Sequence, residues 1–155
     1  MAPTLITLEA LNTATYGFPV ARAAAVYTGI SNTPIFNVVG GRVAIRNIVG
    51  QITVAASGAT NISLQSNPTV AGYTTSALCG VLAAAALEVG TLLTIDGTIG
   101  TAIFGVNAGA AQGQVRDSIV PIGQIEFVLS GAQTISVSWL LNYVPIDTGA
   151  YISVV

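Results

Sequence analysis

Apolar and polar residues alternate with a period of two along most of the chain after Pro34. The longest run covers residues 134–143, in which every second side chain is large and apolar: Ile135, Val137, Trp139, Leu141 and Tyr143. Successive side chains of a strand point to opposite faces of its sheet, so this run predicts a long strand with one buried face. Trp139 is expected in the core. Pro145 ends the strand, and residues 147–149 turn the chain into a last short strand.

A second long strand is predicted at residues 43–54, and its alternation changes phase near Asn47. The apolar positions are Val43 and Ile45 before this point and Ile48, Ile52 and Val54 after it. One extra residue in a strand moves all the following side chains to the opposite face of the sheet. The change of phase therefore predicts a bulge or bend near Asn47.

Two hairpins are predicted from the turn residues between alternating runs. Residues 130–133 connect a run at 125–129 to the long C-terminal strand, which is typical of a hairpin loop. Asp96-Gly97 predicts a second hairpin, between a strand at residues 92–95 and another at residues 98–106.

Two segments are less regular. Residues 1–33 lack sustained alternation, which predicts an N-terminal arm or edge segment preceding a single domain of residues 34–155; an ordinary first hairpin fits the same residues. The Ala-rich residues 78–87 are compatible with a short helix, although Gly80 disfavours one. Many short strands and little helix predict an all-β fold. We expect an antiparallel β-sandwich of the jelly-roll type with an N-terminal arm; a barrel is the alternative.

The charge content is far below that of an ordinary soluble domain. Charged residues make up 6% of the 155 residues, against about 25% in typical domains. A monomer of this size exposes roughly 7,000 Å², and contiguous apolar patches on monomers rarely exceed a few hundred Å². We therefore expect other protein chains to cover much of the surface, with a homotrimer of this chain among the assemblies.

The same composition excludes several functions. Four Arg, no Lys and a net charge of −2 leave no basic surface, so no nucleic-acid partner is expected. Without His, neither a His-dependent triad nor a His-ligated metal site is possible. The single cysteine, Cys79, permits no internal disulfide and is expected to be a small buried residue. The chain is predicted not to be an enzyme, with no catalytic residue, no cofactor and no metal site.

Two charged motifs have simple structural interpretations. Asp96-Gly97 lacks the further carboxylates that a calcium loop needs, so a turn is favoured over a cation site. Arg116 and Asp117 form an adjacent pair of opposite charges. Such pairs are usually solvated surface; the functional alternative is a contact between subunits.

No membrane partner is expected. The longest uninterrupted apolar run, residues 77–87, has 11 residues, whereas a spanning helix needs about 20. The N-terminus also lacks the basic residues that precede the apolar region of a secretory signal, which predicts synthesis in the cytoplasm.

Four segments together resemble a pattern in small virion proteins of tailed bacteriophages. They are FNVVGGRV (36–43), IVGQIT (48–53), NISLQSNP (61–68) and WLLNYVPIDTGA (139–150). The resemblance implies a structural protein, made in the host cytoplasm, on the capsid surface of the virion. Such a protein decorates or cements the shell through non-covalent contacts with the major capsid protein. The resemblance identifies no catalytic residue.

Two alternatives remain open at this point. The first is another virion component, in the tail, in the neck or as the main shell subunit. The second is a carbohydrate-binding adhesion module, which would need exposed aromatic side chains or clustered Asp and Asn.

Overall fold

The computed structural model describes residues 7–107 and 110–155, so the first six residues of the predicted N-terminal arm lie outside the described residues. Within these ranges the chain forms one short helix and twelve strands. They are α1 (Leu8–Tyr16), β1 (Phe18–Thr28), β2 (Ser31–Val39), β3 (Val43–Val54), β4 (Asn61–Pro68), β5 (Ser76–Ala77), β6 (Leu82–Ala83), β7 (Leu92–Thr94), β8 (Phe104–Val106), β9 (Ser118–Val120), β10 (Gly123–Leu129), β11 (Thr134–Pro145) and β12 (Tyr151–Val154).

The strands form two antiparallel sheets that pack together as a β-sandwich, so the predicted all-β fold is confirmed. Sheet I has the order β1-β11-β3-β7-β8, and β9 also pairs with β3. Sheet II has the order β12-β2-β10-β4-β5, and β6 also pairs with β4. The jelly-roll connectivity stays a prediction.

Trp139 lies in the core between the sheets, as predicted, and is 3% exposed. Its ring packs edge-on against Phe127 of sheet II, with ring centroids 5.3 Å apart, and Phe127 in turn contacts Tyr27. Gly50 is directly opposite Trp139 on β3. A Cβ atom at Gly50 would lie 2.7 Å from the indole ring, so glycine makes room for the largest side chain of the core.

The bulge predicted near Asn47 is confirmed. Asn142 of β11 pairs with Asn47, but the next residue, Tyr143, pairs with Ile45, which leaves Arg46 as the extra residue. A second irregularity follows at Thr53 and was not predicted. It turns Val54 away from the core, so the expected burial of Val54 is wrong: this side chain is 53% exposed.

The predicted hairpin across residues 130–133 is wrong. Strand β10 pairs with β2 and β4 in sheet II, whereas β11 pairs with β1 and β3 in sheet I. The loop therefore crosses from one sheet to the other. Alternation shows only that each strand has one buried face, and two strands facing each other across a core have the same pattern as two neighbours within a sheet.

The middle of the chain differs from its prediction in two places. Strands β7 and β8 pair as expected, but the second strand begins at Phe104 and the residues after Asp96-Gly97 form a loop. The short helix considered for residues 78–87 does not form. Gly80 instead makes a bridge to Ala102, and a Cβ atom at Gly80 would lie 2.5 Å from the carbonyl oxygen of Gly100.

The N-terminal segment contributes an edge strand to the sandwich. Strand β1 pairs along its length with β11 and lies at the edge of sheet I. From this edge, the Arg22 guanidinium donates hydrogen bonds to the carbonyl oxygens of Ile35 and Val155, each at 2.9 Å. Arg22 thereby ties the edge of sheet I to sheet II.

Helix α1 was not predicted from the sequence. Thr7 caps its first turn by accepting a hydrogen bond from the Ala10 amide at 3.1 Å, and Gly17 closes it with a bond to the Thr13 carbonyl at 2.8 Å. A Thr before the helix and a Gly after it were the available signals in the sequence.

Candidate interaction surface

The side chains that could bind a metal ion or act as nucleophiles are dispersed over the structure. In the described ranges, no three His, Cys, Asp or Glu side chains come close enough to hold a metal ion. Asp96 accepts a hydrogen bond from the Thr98 amide at 2.6 Å, so its carboxylate stabilises the predicted turn. Cys79 is 2% exposed, as expected for a small buried residue. Burial raises the pKa of its thiol to about 11, which disfavours the nucleophilic thiolate.

The Arg116-Asp117 motif does not form a pair within itself. The Asp117 carboxylate lies 3.8 Å from the guanidinium of Arg46, the bulge residue of β3. The Arg116 guanidinium lies 3.5 Å from the Thr98 hydroxyl. Both partners of the Arg46–Asp117 pair are more than two-fifths exposed, so this pair contributes little to stability.

A stronger pair joins two connections that cross between the sheets. Arg42, between β2 and β3, donates two side-chain hydrogen bonds to Asp147, between β11 and β12, at 2.7 and 2.9 Å. The Arg42 backbone amide donates a third at 2.7 Å. The hydrogen bonds from the Arg42 guanidinium make the largest contribution and the backbone hydrogen bond the next largest. Together they lower the pKa of the Asp147 carboxyl from 3.8 to about 2.

The outer face of sheet I carries a row of uncharged side chains that we call the cross-sheet row. Its members lie directly opposite one another on the five successive strands of the sheet: Ala21, Leu140, Val49, Thr94 and Phe104. Leu140 and Phe104 are 42% and 43% exposed, whereas Thr94 is only 2% exposed. The row therefore exposes two large apolar side chains, Leu140 and Phe104, whereas Thr94 is covered by its neighbours.

A second apolar row lies nearer one end of the same face. Val26 of β1 and Val54 of β3 both pair with Ser136 of β11, one on each side. Val26 is 65% exposed and Val54 is 53% exposed. The outer face of sheet I thus exposes large apolar side chains in two rows, neither of which includes a charged residue, and Ser138 and Gln51 lie between the rows.

Helix α1 stands at the opposite end of this face, near Pro19, Asn142 and Val144. None of its nine residues is buried, and its large apolar side chains, Leu8, Leu11 and Tyr16, are at least half exposed. A helix of this length is marginal in water without a packing partner. Its exposed side chains add to the apolar surface at this end of sheet I.

The outer face of sheet II has the opposite character. It carries amide and hydroxyl side chains in cross-strand rows, with one carboxylate near the centre. The paired positions are Ser153, Asn37, Gln124 and Asn67 in one row, Pro34, Glu126 and Gln65 in the next, and Asn32, Val128 and Ser63 in the third.

Glu126 is the buried centre of the polar face and is 4% exposed. Its two carboxylate oxygens accept hydrogen bonds from the Gln65 amide at 2.5 Å and the Asn67 amide at 2.8 Å. Neither of the two ion pairs formed by the described residues involves Glu126. The negative charge is therefore held by neutral amide dipoles, which is the arrangement a buried polar group needs.

Sequence reasoning did not identify these two surfaces. The one available signal for sheet I was Leu140, a large apolar residue in the otherwise polar half of the 134–143 alternation. Glu126 gave no signal, because its amide partners come from a strand about sixty residues earlier in the chain.

In the described residues, no helix has the length and apolar character needed to cross a membrane. No protein-family model matches the chain, and no curated protein matches it.

Proposed function

We propose that this chain is a structural protein of a bacteriophage virion. It decorates or cements the capsid shell through non-covalent contacts with the major capsid protein and with further copies of itself. The observation that carries the proposal is the uncharged outer face of sheet I, on which Leu140 and Phe104 are both more than two-fifths exposed. The phage-like segments in residues 34–155 support the same assignment.

A permanent subunit of an assembly accounts for this surface better than an independent monomer does. Obligate interfaces are large and apolar and resemble a domain core cut in half, with charged residues depleted at their centre. Exposed apolar side chains on a free monomer would instead promote aggregation. The low charge of the whole chain, 6%, fits a molecule whose surface is mostly covered by neighbours.

The sandwich has two differently built outer faces, which suits a protein that makes two kinds of contact. The apolar face of sheet I favours a permanent contact, and the amide-rich face of sheet II can exchange hydrogen bonds with a second neighbour. Contacts of both kinds would hold capsid subunits together without covalent chemistry. The chain has no Lys, so it cannot supply a lysine to an isopeptide cross-link.

The amide-rich face favours one alternative, a carbohydrate-binding role in host adhesion. Side-chain amides offer both donors and acceptors to sugar hydroxyls, and Tyr151, on the neighbouring edge strand, is 48% exposed. However, Glu126, Gln65 and Asn67 already use one another as partners, which leaves fewer groups for a ligand.

The test is the amount of this chain in purified particles of the phage that encodes it. Quantitative mass spectrometry, with the major capsid protein as the internal reference, is expected to give hundreds of copies per particle. Tens of copies would place the chain in the tail or in an adhesion fibre. Absence from the particles would overturn the proposal.

A further inference from the structure

We infer that the chain binds a neutral sugar in a cleft between helix α1 and one end of the outer face of sheet I, which we call the bulge cleft. Its lining includes Tyr16 of α1, Arg46, Asn47 and Asn142 of the sheet, and Gln114 and Asp117 of the segment before β9. Its volume is about 520 Å³, and ligand sites usually have volumes of about 300–1,000 Å³. This site is separate from the amide-rich face of sheet II, and sugar binding there does not depend on the virion role.

The bulge of β3 brings three polar side chains to this cleft. Asn142 of β11 pairs with Asn47, whereas the next residue, Tyr143, pairs with Ile45 and is buried with it in the core. The extra residue, Arg46, also lines the cleft, beside the two asparagines. Bulges are known for redirecting a side chain in this way. The result is a guanidinium next to two side-chain amides at one place on the outer face.

Gln114 fixes the segment that supplies the carboxylate of the cleft. Its side-chain amide donates hydrogen bonds to the carbonyl oxygens of Ile45 at 3.0 Å and Arg116 at 2.6 Å. Its backbone amide donates to the side-chain oxygen of Asn47 at 3.3 Å. These contacts hold the segment against the bulge, so that Asp117, three residues further along, lines the same cleft.

Tyr16, the last residue of α1, supplies an aromatic ring that is 65% exposed. The next residue, Gly17, has a φ of 85°, and a Cβ atom there would lie 2.5 Å from the carbonyl oxygen of Tyr143. The chain therefore approaches the backbone of β11 as closely as only glycine allows. This close approach, together with the contact between the Phe18 and Tyr143 rings at 5.7 Å, anchors Tyr16 beside Asn142.

The polar groups of the bulge cleft are free to bind a ligand. The Arg46 guanidinium and the Asp117 carboxylate are 3.8 Å apart, which is beyond hydrogen-bond distance, and both are more than two-fifths exposed. Among the described residues, neither of them nor the Asn142 side chain has a hydrogen-bond partner. The carboxylate of Glu126 on sheet II differs, because amides donate to both of its oxygens. The bulge cleft thus offers unused donors and acceptors, whereas the polar face of sheet II uses its own.

The chemistry of these groups matches a neutral sugar. A carboxylate only accepts hydrogen bonds, a guanidinium only donates them and an amide does both. Sugar hydroxyls donate and accept, so one sugar can satisfy Asp117, Arg46 and Asn142 together. The Tyr16 ring offers an apolar surface to the C–H groups of the sugar ring. One cation and one anion leave the cleft without net charge, and an anionic ligand would be repelled by Asp117.

The first test is sugar binding by the wild-type chain, measured by saturation-transfer NMR. The probes are glucose, galactose, mannose and N-acetylglucosamine, with glucuronic acid as the charged comparison. At least one neutral sugar is expected to bind with a Kd on the order of 1 mM, the affinity that a ligand of this size reaches. The inference is overturned if no neutral sugar binds at concentrations up to about 50 mM, or if glucuronic acid alone binds.

The second test locates the site with two exposed tyrosines. Tyr16→Ala is expected to weaken binding of that sugar about tenfold, because it removes the aromatic surface of the cleft. Tyr151→Ala is the matched control: Tyr151 is 48% exposed, lies at the edge of sheet II and is not part of the cleft. It should leave the Kd unchanged. If Tyr151→Ala weakens binding and Tyr16→Ala does not, the sugar binds on sheet II and the inference is wrong.

The third test removes the charge of the cleft's carboxylate and keeps its shape. Asp117→Asn is expected to weaken binding by about tenfold or more, since a hydrogen bond to a charged group is lost. The control is Glu88→Gln, which changes an exposed carboxylate between β6 and β7 and should leave the Kd unchanged. Because the Arg46–Asp117 pair is exposed, the melting temperature of Asp117→Asn should stay near that of the wild type. Unchanged sugar binding in Asp117→Asn overturns the inference.

Discussion

Leu140 on sheet I and Glu126 on sheet II have equivalent positions in the backbone. Each lies on the outer face of its sheet, between two neighbours in the strand that are almost completely buried. Their exposures are the reverse of what their chemistry favours: Leu140 is 42% exposed and Glu126 is 4% exposed. An exposed apolar patch and a buried charge are the informative departures from ordinary burial.

The reversal shows that the outer face of sheet II satisfies its buried polar groups, whereas the outer face of sheet I leaves apolar side chains exposed. On sheet II the carboxylate is buried because Gln65 and Asn67 donate to both of its oxygens, so the face satisfies its own polar groups. On sheet I nothing in the described chain covers Leu140, Val26 or Phe104 to a comparable extent. Sheet II thus satisfies its buried carboxylate within one copy, whereas sheet I leaves large apolar side chains in contact with water.

The prediction with the largest expected effect tests whether the inner and outer faces of β11 contribute differently to the free energy of unfolding. Trp139→Ala is expected to lower the free energy of unfolding by about 3–5 kcal/mol, because it removes a buried ring that packs on Phe127. The neighbouring Leu140→Ala is expected to cost less than about 1 kcal/mol, because Leu140 is on the outer face. Urea unfolding at low protein concentration measures both values. Equal losses would contradict the assignment of the two faces.

An intermediate effect tests whether sheet II satisfies its own polar groups. Glu126→Gln keeps the shape of the side chain but replaces one acceptor oxygen by a donor, which then faces the amide of Gln65 or Asn67. We expect a loss of about 1–3 kcal/mol, the cost of leaving a buried polar group unsatisfied. Gln51→Ala, an exposed position on sheet I, should change stability by less than about 0.5 kcal/mol. An unchanged urea midpoint for Glu126→Gln would show that the two amides do not hold the carboxylate.

Local patterns in the sequence predicted the strands because alternation records which side of a strand is buried. The 134–143 run, the buried Trp139 and the bulge near Asn47 all follow from that one property. The connection between β10 and β11 could not be predicted in the same way, because a loop of four residues can turn within a sheet or cross between sheets. Pairing is a property of two strands, and the pattern of one strand does not contain it.

The candidate surface was predicted only in general terms. The low charge content indicated a covered surface, but it did not locate that surface. The cross-sheet row is assembled from five strands that are distant in sequence, and only the registers of those strands align Ala21 with Phe104. Glu126 depends on long-range partners in the same way. Side chains whose roles arise from register are the ones that a single sequence leaves undetermined.

The smallest expected effect concerns a contact that belongs to neither face. Arg42 and Asp147 join the two connections that cross between the sheets, and their side chains are 54% and 35% exposed. The pKa of Asp147 falls from 3.8 to about 2 in the folded chain, so folding favours its ionised form. The pair therefore stabilises the fold at pH values above about 4, and this contribution is lost as the pH falls towards 2.

The comparison of wild type with Asp147→Asn isolates this contribution. We expect the wild-type melting temperature to exceed that of the variant slightly at neutral pH, and the difference to disappear between pH 4 and pH 2. Salt should reduce the same difference at neutral pH, since an exposed pair is screened. A difference in melting temperature that is constant down to pH 2 would show that Asp147 stabilises the turn by its shape rather than by its charge.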